Sequence, residues 1–235
     1  KRISDRWYTE LVPASVLPMM ELDRNAEFLR NLGVGSGHAS LPVLPKLLEL
    51  PAEKKFADDY FVVFPGASSL TRMWPTEAFA KVATQIVDEY GFLPVICGGE
   101  MEQELGERLL RQIGDERSKN FAGQTSLPEL AEVIREARLV ISNETSAIHI
   151  SAAVSTPSVC ILGGGHYGRF MPYSKDLDGF KPIAVIKRMS CFGCNWQCQY
   201  TDSQSEPYPC IEGITVERVM CAVDLAMEDI SIRCF

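Results

Sequence analysis

The sequence predicts an α/β protein built on a Rossmann-like parallel sheet with flanking helices. Short apolar runs rich in β-branched and aromatic residues alternate with stretches of helical spacing over residues 60–227. Short turns that often contain glycine separate them, which favours βαβ units over hairpins. Hydrophobic residues make up 46% and charged residues 23% of the 235 residues, which is ordinary globular usage and excludes a disordered chain.

The elements follow in order from Tyr60. The predicted strands are Tyr60–Phe64, Phe92–Cys97, Lys119–Ala122, Leu139–Ser142, Ser158–Leu162 and Ile183–Lys187. The predicted helices are Pro75–Tyr90, Glu100–Ile113, Leu127–Glu136, Ser146–Val154 and Thr215–Met227. Phe79, Val82 and Ile86 show the helical spacing of apolar positions, Gly91 fits a helix C-terminus and Ser126 fits an N-cap.

Residues 1–58 precede this alternation and are irregular, apart from one predicted helix from Glu21 to Asn31 that ends at Gly33. The segment is too short for a core of its own, so it is expected to be a connector, with residues 59–235 forming the domain. The chain starts at Lys1 without Met and without an apolar signal core. We expect this start to be a fragment or processed boundary, although a trimmed chain would look the same.

Charge and hydropathy exclude two classes of protein. The formal net charge is −8, from 23 basic and 31 acidic residues with no Lys/Arg block, so nucleic-acid binding is not expected. The uncharged stretch from Thr145 to Gly165 has the length of a membrane span but contains His149 and Pro157. A helix followed by a buried strand accommodates these residues better, so no transmembrane segment is expected.

Three loops that follow predicted strands contain candidate ligand-binding residues. The first is Pro65–Ser69, with Ser68 and Ser69, followed by Arg72 near the start of the next helix. Small residues let a ligand approach the backbone, and a helix N-terminus with an Arg suits a diphosphate. A plain connecting loop with a solvated Arg is the alternative.

The second loop opens a helix with Asn143, Glu144, Thr145 and Ser146, and His149 follows about one turn later. Polar residues at this position cap the helix, bind a ligand or do both. A lone His in an apolar helix is more often a packed, hydrogen-bonded side chain than a catalyst, and that alternative stays open.

The third loop begins with the glycine triplet Gly163, Gly164 and Gly165. Three consecutive glycines indicate a conformationally demanding loop near a ligand, or a flexible connection. The loop lacks the G-x-G-x-x-G arrangement, so a dinucleotide fingerprint is not supported.

Four of the eight cysteines cluster with the spacing C-x2-C-x3-C-x11-C. They are Cys191, Cys194, Cys198 and Cys210. Paired thiolates at short spacing suit a tetrahedral Zn or a mononuclear Fe site. Reduced thiols, or disulfides that tie a loop, are the alternative.

Taken in order, these motifs resemble the donor domain of glycosyltransferase family 9, the heptosyltransferases. The resemblance rests on Pro65-Gly66-Ala67-Ser68, Arg72-Met73-Trp74-Pro75, Gly98-Gly99-x-x-Glu102, Ala122-Gly123-Gln124-Thr125-Ser126-Leu127, Asn143-Glu144-Thr145 with His149, and Cys191-x-x-Cys194. The stretch from Glu21 to Gly33 is similar to the connector between the family's two Rossmann domains. The match keeps its order over nearly the whole chain.

The resemblance implies a two-domain, type B glycosyltransferase that transfers a sugar, a heptose for preference, from a nucleoside diphosphate to a lipopolysaccharide-core or protein acceptor. It places Ser68, Thr125, Thr145 and His149 in the donor pocket. The family has Lys where this chain has Arg72, and it usually has Asp-Thr-Gly where this chain has Glu144-Thr145-Ser146. Arg72 keeps the charge but changes its geometry, whereas the longer carboxylate of Glu144 and the Cβ of Ser146 put donor choice and activity in question.

The resemblance also implies that the acceptor site and the catalytic base belong to an N-terminal domain absent from this chain, so transfer by the chain alone is not expected. No cofactor is implied for transfer, and the implied location is the cytoplasm, with peripheral binding to the inner membrane as an open variant. Two other functions stay open at this stage. One is a nucleotide-sugar epimerase of similar architecture, and the other is a non-catalytic nucleotide- or metal-binding module.

Overall fold

The computed structural model describes residues 7, 9–12, 15, 19–34 and 39–233, with side chains up to Glu228. It contains one six-stranded, all-parallel sheet. The strands are β1 (Tyr60–Phe64), β2 (Leu93–Ile96), β3 (Lys119–Asn120), β4 (Leu139–Asn143), β5 (Ser158–Ile161) and β6 (Ile183–Val185). Their spatial order is β3-β2-β1-β4-β5-β6. The predicted α/β Rossmann-like fold is confirmed.

The helices lie between these strands and at both ends of the described chain. They are α1 (Glu21–Asn31), α2 (Thr76–Tyr90), α3 (Gln103–Ile113), α4 (Leu127–Glu136), α5 (Ser146–Ala153), α6 (Pro209–Glu212) and α7 (Val216–Arg233). The short helix α6 and a 3-10 helix at Leu70–Arg72 were not predicted. The predicted strand Lys119–Ala122 is shorter and ends at Asn120, and the last strand ends at Val185.

The core forms on both faces of the sheet because successive side chains of a strand point to opposite sides. Phe61 and Val63 of β1 pack with α2, α3 and α7, whereas Tyr60 and Val62 pack with α4 and α5.

Two helix ends follow from local chemistry. Gly91 ends α2 with φ +71°, a conformation that glycine adopts at little cost, and Ser126 caps α4 in a reciprocal capping box with Glu129.

The predicted connector is held on the domain by polar contacts. The backbone N–H of Leu47 donates to the buried carboxylate of Glu132 on α4 (2.7 Å), and Arg135 donates to the carbonyl of Leu44 (2.8 Å). Helix α1 is fixed near its start, where Glu21 accepts from the Arg169 guanidinium and donates its N–H to the Arg169 carbonyl, both at 2.8 Å. Residues 1–6, 8, 13–14, 16–18 and 35–38 of this connector lie outside the described residues. The division at residue 58 stays a prediction.

The side chain of Asn143, at the end of β4, ties the loop after β1 to the centre of the sheet. Its amide donates to the carbonyls of Pro65 (2.7 Å) and Gly66 (3.2 Å), and its carbonyl accepts from the backbone N–H of Trp74 (3.0 Å). Asn143 is 1% exposed, so it is a structural bridge. Its position in the predicted ligand-binding loop gave no sign of this role.

We expect Asn143→Ala to lower the free energy of unfolding by about 2–4 kcal/mol, because the substitution leaves buried N–H and C=O groups without partners. Asn143→Asp keeps the shape but turns a carboxylate toward two carbonyls, so it should also destabilise. Gln124→Ala removes an exposed side-chain hydrogen bond and serves as the control. Urea unfolding measures all three variants, and an Asn143→Ala loss no larger than the control's would contradict the structural role.

Candidate functional site

The candidate site is a cleft at the carboxyl ends of the central strands, where the order of the sheet reverses between β1 and β4. Ligands of open parallel sheets bind at this switch point. The cleft has a volume of about 390 Å³. Six predicted site residues line it, namely Ser68, Arg72, Glu144, Thr145, Ser146 and His149. The structure therefore brings together side chains from two separate loops.

Two predicted donor-binding residues lie outside the described lining of this cleft. The hydroxyl of Ser69 shares a hydrogen bond with Thr71 (2.8 Å), which is buried in the 3-10 helix. Thr125 lies directly before the capping residue of α4, in the turn after β3 at the edge of the sheet. Their contact with a donor stays a prediction.

Arg72 supplies a positive charge to the cleft. Its side chain donates a long hydrogen bond (3.4 Å) to Ser68, and its guanidinium carbon lies 4.5 Å from the centroid of the Trp196 ring. Both contacts hold the guanidinium beside the N-terminal end of α5. A cation and the N-terminus of a helix together favour an anionic group such as a phosphate.

Thr145 is the N-cap of α5. Its hydroxyl accepts from the backbone N–H of Ala147 (3.3 Å) and shares a hydrogen bond with Ser142 (2.9 Å). Of the two roles that the sequence left open for this segment, capping therefore belongs to Thr145. Glu144 does not cap the helix, and Ser146, the first residue of α5, is exposed.

Glu144 places a half-buried carboxyl in the cleft. Burial raises the pKa of this carboxyl to about 7, against the opposing effect of the positive charge of Arg72. Its Oε1 atom is buried, and the described part of the chain offers it no hydrogen-bond partner. A buried carboxyl oxygen without a partner is suited to accept a hydrogen bond from a ligand hydroxyl.

His149 lies in the same cleft, as its position one turn into α5 predicted. Its Nδ1 atom shares a 2.6 Å hydrogen bond with the Tyr173 hydroxyl, and burial lowers the pKa of the imidazole. The ring is therefore neutral near pH 7 and positioned by Tyr173. Tyr173 was not predicted as part of the site, since its place in the long segment between β5 and β6 gives no periodic signal.

The glycine triplet makes room for aromatic side chains from the cysteine region. A Cβ atom at Gly165 would overlap the Trp196 indole, and one at Gly164 would overlap the Phe192 ring. Backbone hydrogen bonds join the same segments, from the N–H of Gly193 to the Gly164 carbonyl (2.8 Å) and from Asn195 to the Gly165 carbonyl (2.9 Å). The three glycines do not adopt left-handed φ angles. Close packing, and not unusual backbone geometry, explains the triplet.

Three of the four clustered cysteines lie in or next to this packed segment, and Cys210 lies on α6. Burial raises the pKa of the Cys210 thiol, the Gly164 N–H opposes the shift, and the neighbouring thiols of Cys191, Cys194 and Cys198 raise it further. All four are free thiols in the structure. Within the described ranges no three His, Cys, Asp or Glu side chains are arranged to hold a metal ion. The geometry therefore does not show the metal centre that the spacing suggested.

Comparison with known proteins identifies the family. The model of glycosyltransferase family 9 (heptosyltransferase) matches residues 38–192, which is more than half of the chain. The chain belongs to glycosyltransferase family 9. The resemblance of its motifs to that family is confirmed.

Individual relatives of this family 9 chain are distant. It is 29% identical to lipopolysaccharide heptosyltransferase 2 of Escherichia coli K12 over 103 residues, which cover 42% of this chain and 29% of that protein. A family 9 glycosyltransferase from Veillonella parvula superposes with a TM-score of 0.70 at 19% identity, covering 95% of this chain and 64% of that one.

A third comparison is with the iron-containing dodecameric glycosyltransferase of enterotoxigenic E. coli, with a TM-score of 0.59 at 16% identity, covering 89% of this chain and 54% of that one. The family 9 chain spans less than two-thirds of each of these proteins. No helix within the described residues is long and apolar enough to cross a membrane.

Glu144 should make stability depend on pH. The folded protein holds the proton with a pKa of about 7, whereas the ordinary value is 4.5, so stability falls as the pH rises from about 4.5 to about 7 and stays lower above it. Glu144→Gln removes this cost. We expect the variant to be more stable than the wild type by about 2 kcal/mol at pH 8 and nearly equal to it at pH 5.

Chemical denaturation between pH 5 and pH 8 measures this difference. The exposed carboxylate of Glu116 offers a matched control, since Glu116→Gln removes a similar charge from the surface. If the difference in the free energy of unfolding between Glu144→Gln and the wild type is the same at every pH, the Glu144 carboxyl is not protonated in the folded protein.

Proposed function

We propose that this chain binds the nucleoside-diphosphate sugar donor of a heptosyltransferase-like enzyme, with the diphosphate between Arg72 and the N-terminus of α5. The observation that carries the proposal is the convergence of a cation, a helix N-terminus and polar loop residues on one cleft at the switch point. Membership of family 9 supports it. The names of the matched relatives favour a heptose as the sugar and a lipopolysaccharide core as the acceptor.

The proposed chemistry is electrostatic. When the bond between the sugar and the diphosphate breaks, negative charge accumulates on the departing phosphate oxygen. Arg72 and the backbone N–H groups at the start of α5 neutralise this charge, and such fixed donors usually supply the largest catalytic contribution. A guanidinium carries its charge at all physiological pH values and binds phosphate through two N–H groups, so no metal is needed at the diphosphate.

Glu144 has a different proposed role, because an ionised carboxylate beside a diphosphate would repel it. Burial keeps the Glu144 carboxyl partly protonated near pH 7, which reduces the repulsion. Its Oε1 atom is left to accept a hydrogen bond from a ribose or sugar hydroxyl. The Glu at this position and the Cβ of Ser146 narrow the space near the helix N-terminus, so the donor preference should differ from that of relatives with Asp and Gly.

The acceptor site is proposed to lie on another domain. This chain aligns with 64% of the length of the V. parvula protein, and the described residues contain one sheet only. We therefore propose that transfer needs a further domain that supplies the acceptor site and the base. If the chain were instead an epimerase, incubation with the donor alone would release an epimer of the sugar, and product analysis without an acceptor distinguishes the two reactions.

We expect Arg72→Ala to weaken ADP binding about 10- to 100-fold, because the substitution removes a charge-assisted hydrogen bond. Arg72→Lys keeps the charge and should retain most of the affinity. Arg111→Ala removes an exposed Arg from α3 and serves as the control. Isothermal titration calorimetry measures the dissociation constants, and equal, weak ADP binding by the wild type and Arg72→Ala would refute the proposed donor site.

A separate proposal concerns a structural Zn or Fe ion at the four clustered cysteines. Their spacing, the mutual effect of their thiols and the iron in one structural neighbour support it. The side chains are not arranged around an ion in the structure, so no step of the reaction is assigned to a metal. If formed, the site would join the segment after β6 to helix α6, which contains Cys210.

A bound metal predicts about one equivalent of Zn or Fe in protein purified without a His tag, lost in Cys198→Ser together with some stability. Cys221→Ser changes an exposed cysteine on α7 and should keep the full metal content. Elemental analysis decides the question. Less than about a tenth of an equivalent in the wild type would show that the four cysteines are a thiol cluster without a metal.

A further inference from the structure

Trp196 lies between two of the clustered cysteines in sequence, yet its side chain lines the candidate donor cleft. Its ring faces the Arg72 guanidinium at 4.5 Å, which is cation–π distance. The other polar contact of Arg72 is a long hydrogen bond (3.4 Å) to Ser68, which is exposed. Because that hydrogen bond is weak, the indole is the firmer restraint on the guanidinium.

The indole itself is held from several sides. Its Nε1–H donates to Nδ1 of His166 (3.1 Å), and the ring packs on the backbone of Gly165, where a Cβ would overlap it. The Tyr208 ring lies nearly parallel to it with centroids 6.2 Å apart, and the Tyr208 hydroxyl donates to the Trp196 carbonyl (3.3 Å). These contacts leave the indole little freedom to change its rotamer.

The backbone at this point is also unusual. Asn195 has φ +51° and Trp196 has φ +63°, so two consecutive non-glycine residues adopt the left-handed conformation. For a bulky residue such as Trp this conformation costs free energy and persists only when the surrounding contacts determine it. The contacts here are the backbone hydrogen bond from Asn195 to Gly165 (2.9 Å) and the side-chain bond between Asn195 and His166 (2.8 Å). In this backbone conformation the indole lines the cleft.

The backbone of the Arg72 segment is fixed to the same support. The N–H of Tyr208 donates to the carbonyl of Thr71 (2.9 Å), and Thr71 is 2% exposed. Tyr208 therefore contacts both the residue before Arg72 and the residue that stacks on Arg72. The guanidinium and the indole keep their relative positions because both depend on Tyr208.

We propose that Trp196 is a positioning residue for donor binding, which holds the Arg72 guanidinium in place to receive the diphosphate. This inference rests on the proposed role of Arg72 in the donor site. Ordering a long Arg side chain before the ligand arrives reduces the entropy lost on binding, which increases affinity without a direct contact to the ligand. The packed segment from Phe192 to Cys198 then serves as the support that presents Trp196 to the cleft.

A double-mutant cycle between Trp196 and Arg72 tests the proposal, with ADP as the probe and calorimetry as the measurement. We expect Trp196→Leu to weaken ADP binding about three- to tenfold in the wild type, the range of an exposed to partly buried cation–π contact. In the Arg72→Ala background the same substitution should have almost no further effect. Trp196→Phe keeps an aromatic face and should restore most of the affinity.

Phe192→Leu is the matched control, because it alters the packing on Gly164 in the same segment without touching Arg72. Near-UV circular dichroism checks that each variant is folded. If Trp196→Leu does not fold, His166→Ala, which frees the indole from its hydrogen bond, replaces it in the cycle.

An affinity loss of the same size with and without Arg72 would overturn the positioning role, and so would an unchanged dissociation constant. If Arg72→Ala itself leaves ADP binding unchanged, the donor site of the proposed function fails, and the two failures are thus distinguishable.

Discussion

The cleft depends on the side chain of Asn143. In a parallel sheet the two loops at the switch point leave their strands in different directions, and the space between them is the binding site. That space has a fixed shape only if the loops are held at their base. The amide of Asn143 does this by donating to two carbonyls of the loop after β1 and accepting from the N–H of Trp74. Arg72 and the start of α5 take their positions from this bridge.

The strands and helices could be predicted because the signal for each is local. Apolar runs marked β1, β4 and β5 to within one residue, and glycine or a capping Ser marked the ends of α2 and α4. The boundaries were less certain at β3 and β6, which lie at the edges of the sheet and are short. An edge strand pairs with a neighbouring strand on one side only, so a shorter run of residues completes its backbone hydrogen bonding. No local signal in the sequence indicates the spatial order of the strands, because that order depends on how the whole chain folds.

The site was predicted in part, and the limits have physical causes. Glu144 was found because it directly follows β4, and Arg72 and His149 because they belong to the segments after β1 and β4, whose ends the fold brings together. Asn143 was placed in the correct loop, but its structural role was not predicted. In the sequence, an amide that binds three backbone groups cannot be told from any other polar loop residue. Trp196 and Tyr173 were missed as site residues. Trp196 lines the cleft and Tyr173 contacts it through His149, both from segments without periodicity, so that only the packed structure shows which way their side chains turn.

The charge of the cleft depends on the Arg72 guanidinium and the Glu144 carboxyl, and burial determines how far that carboxyl is ionised. If Glu144 were fully solvated, it would be ionised at neutral pH and would cancel the charge of Arg72 where the diphosphate is proposed to bind. Burial raises its pKa to about 7, so a substantial fraction of the molecules keeps a positive cleft. The stability cost of burying this carboxyl above pH 7 is then a consequence of the proposed donor site. The proposed donor site also needs the Arg72 guanidinium to stay in one position in this cleft. The contact between Trp196 and Arg72 supplies that restraint, which gives a physical reason for finding Glu144, Arg72 and Trp196 together in one cleft.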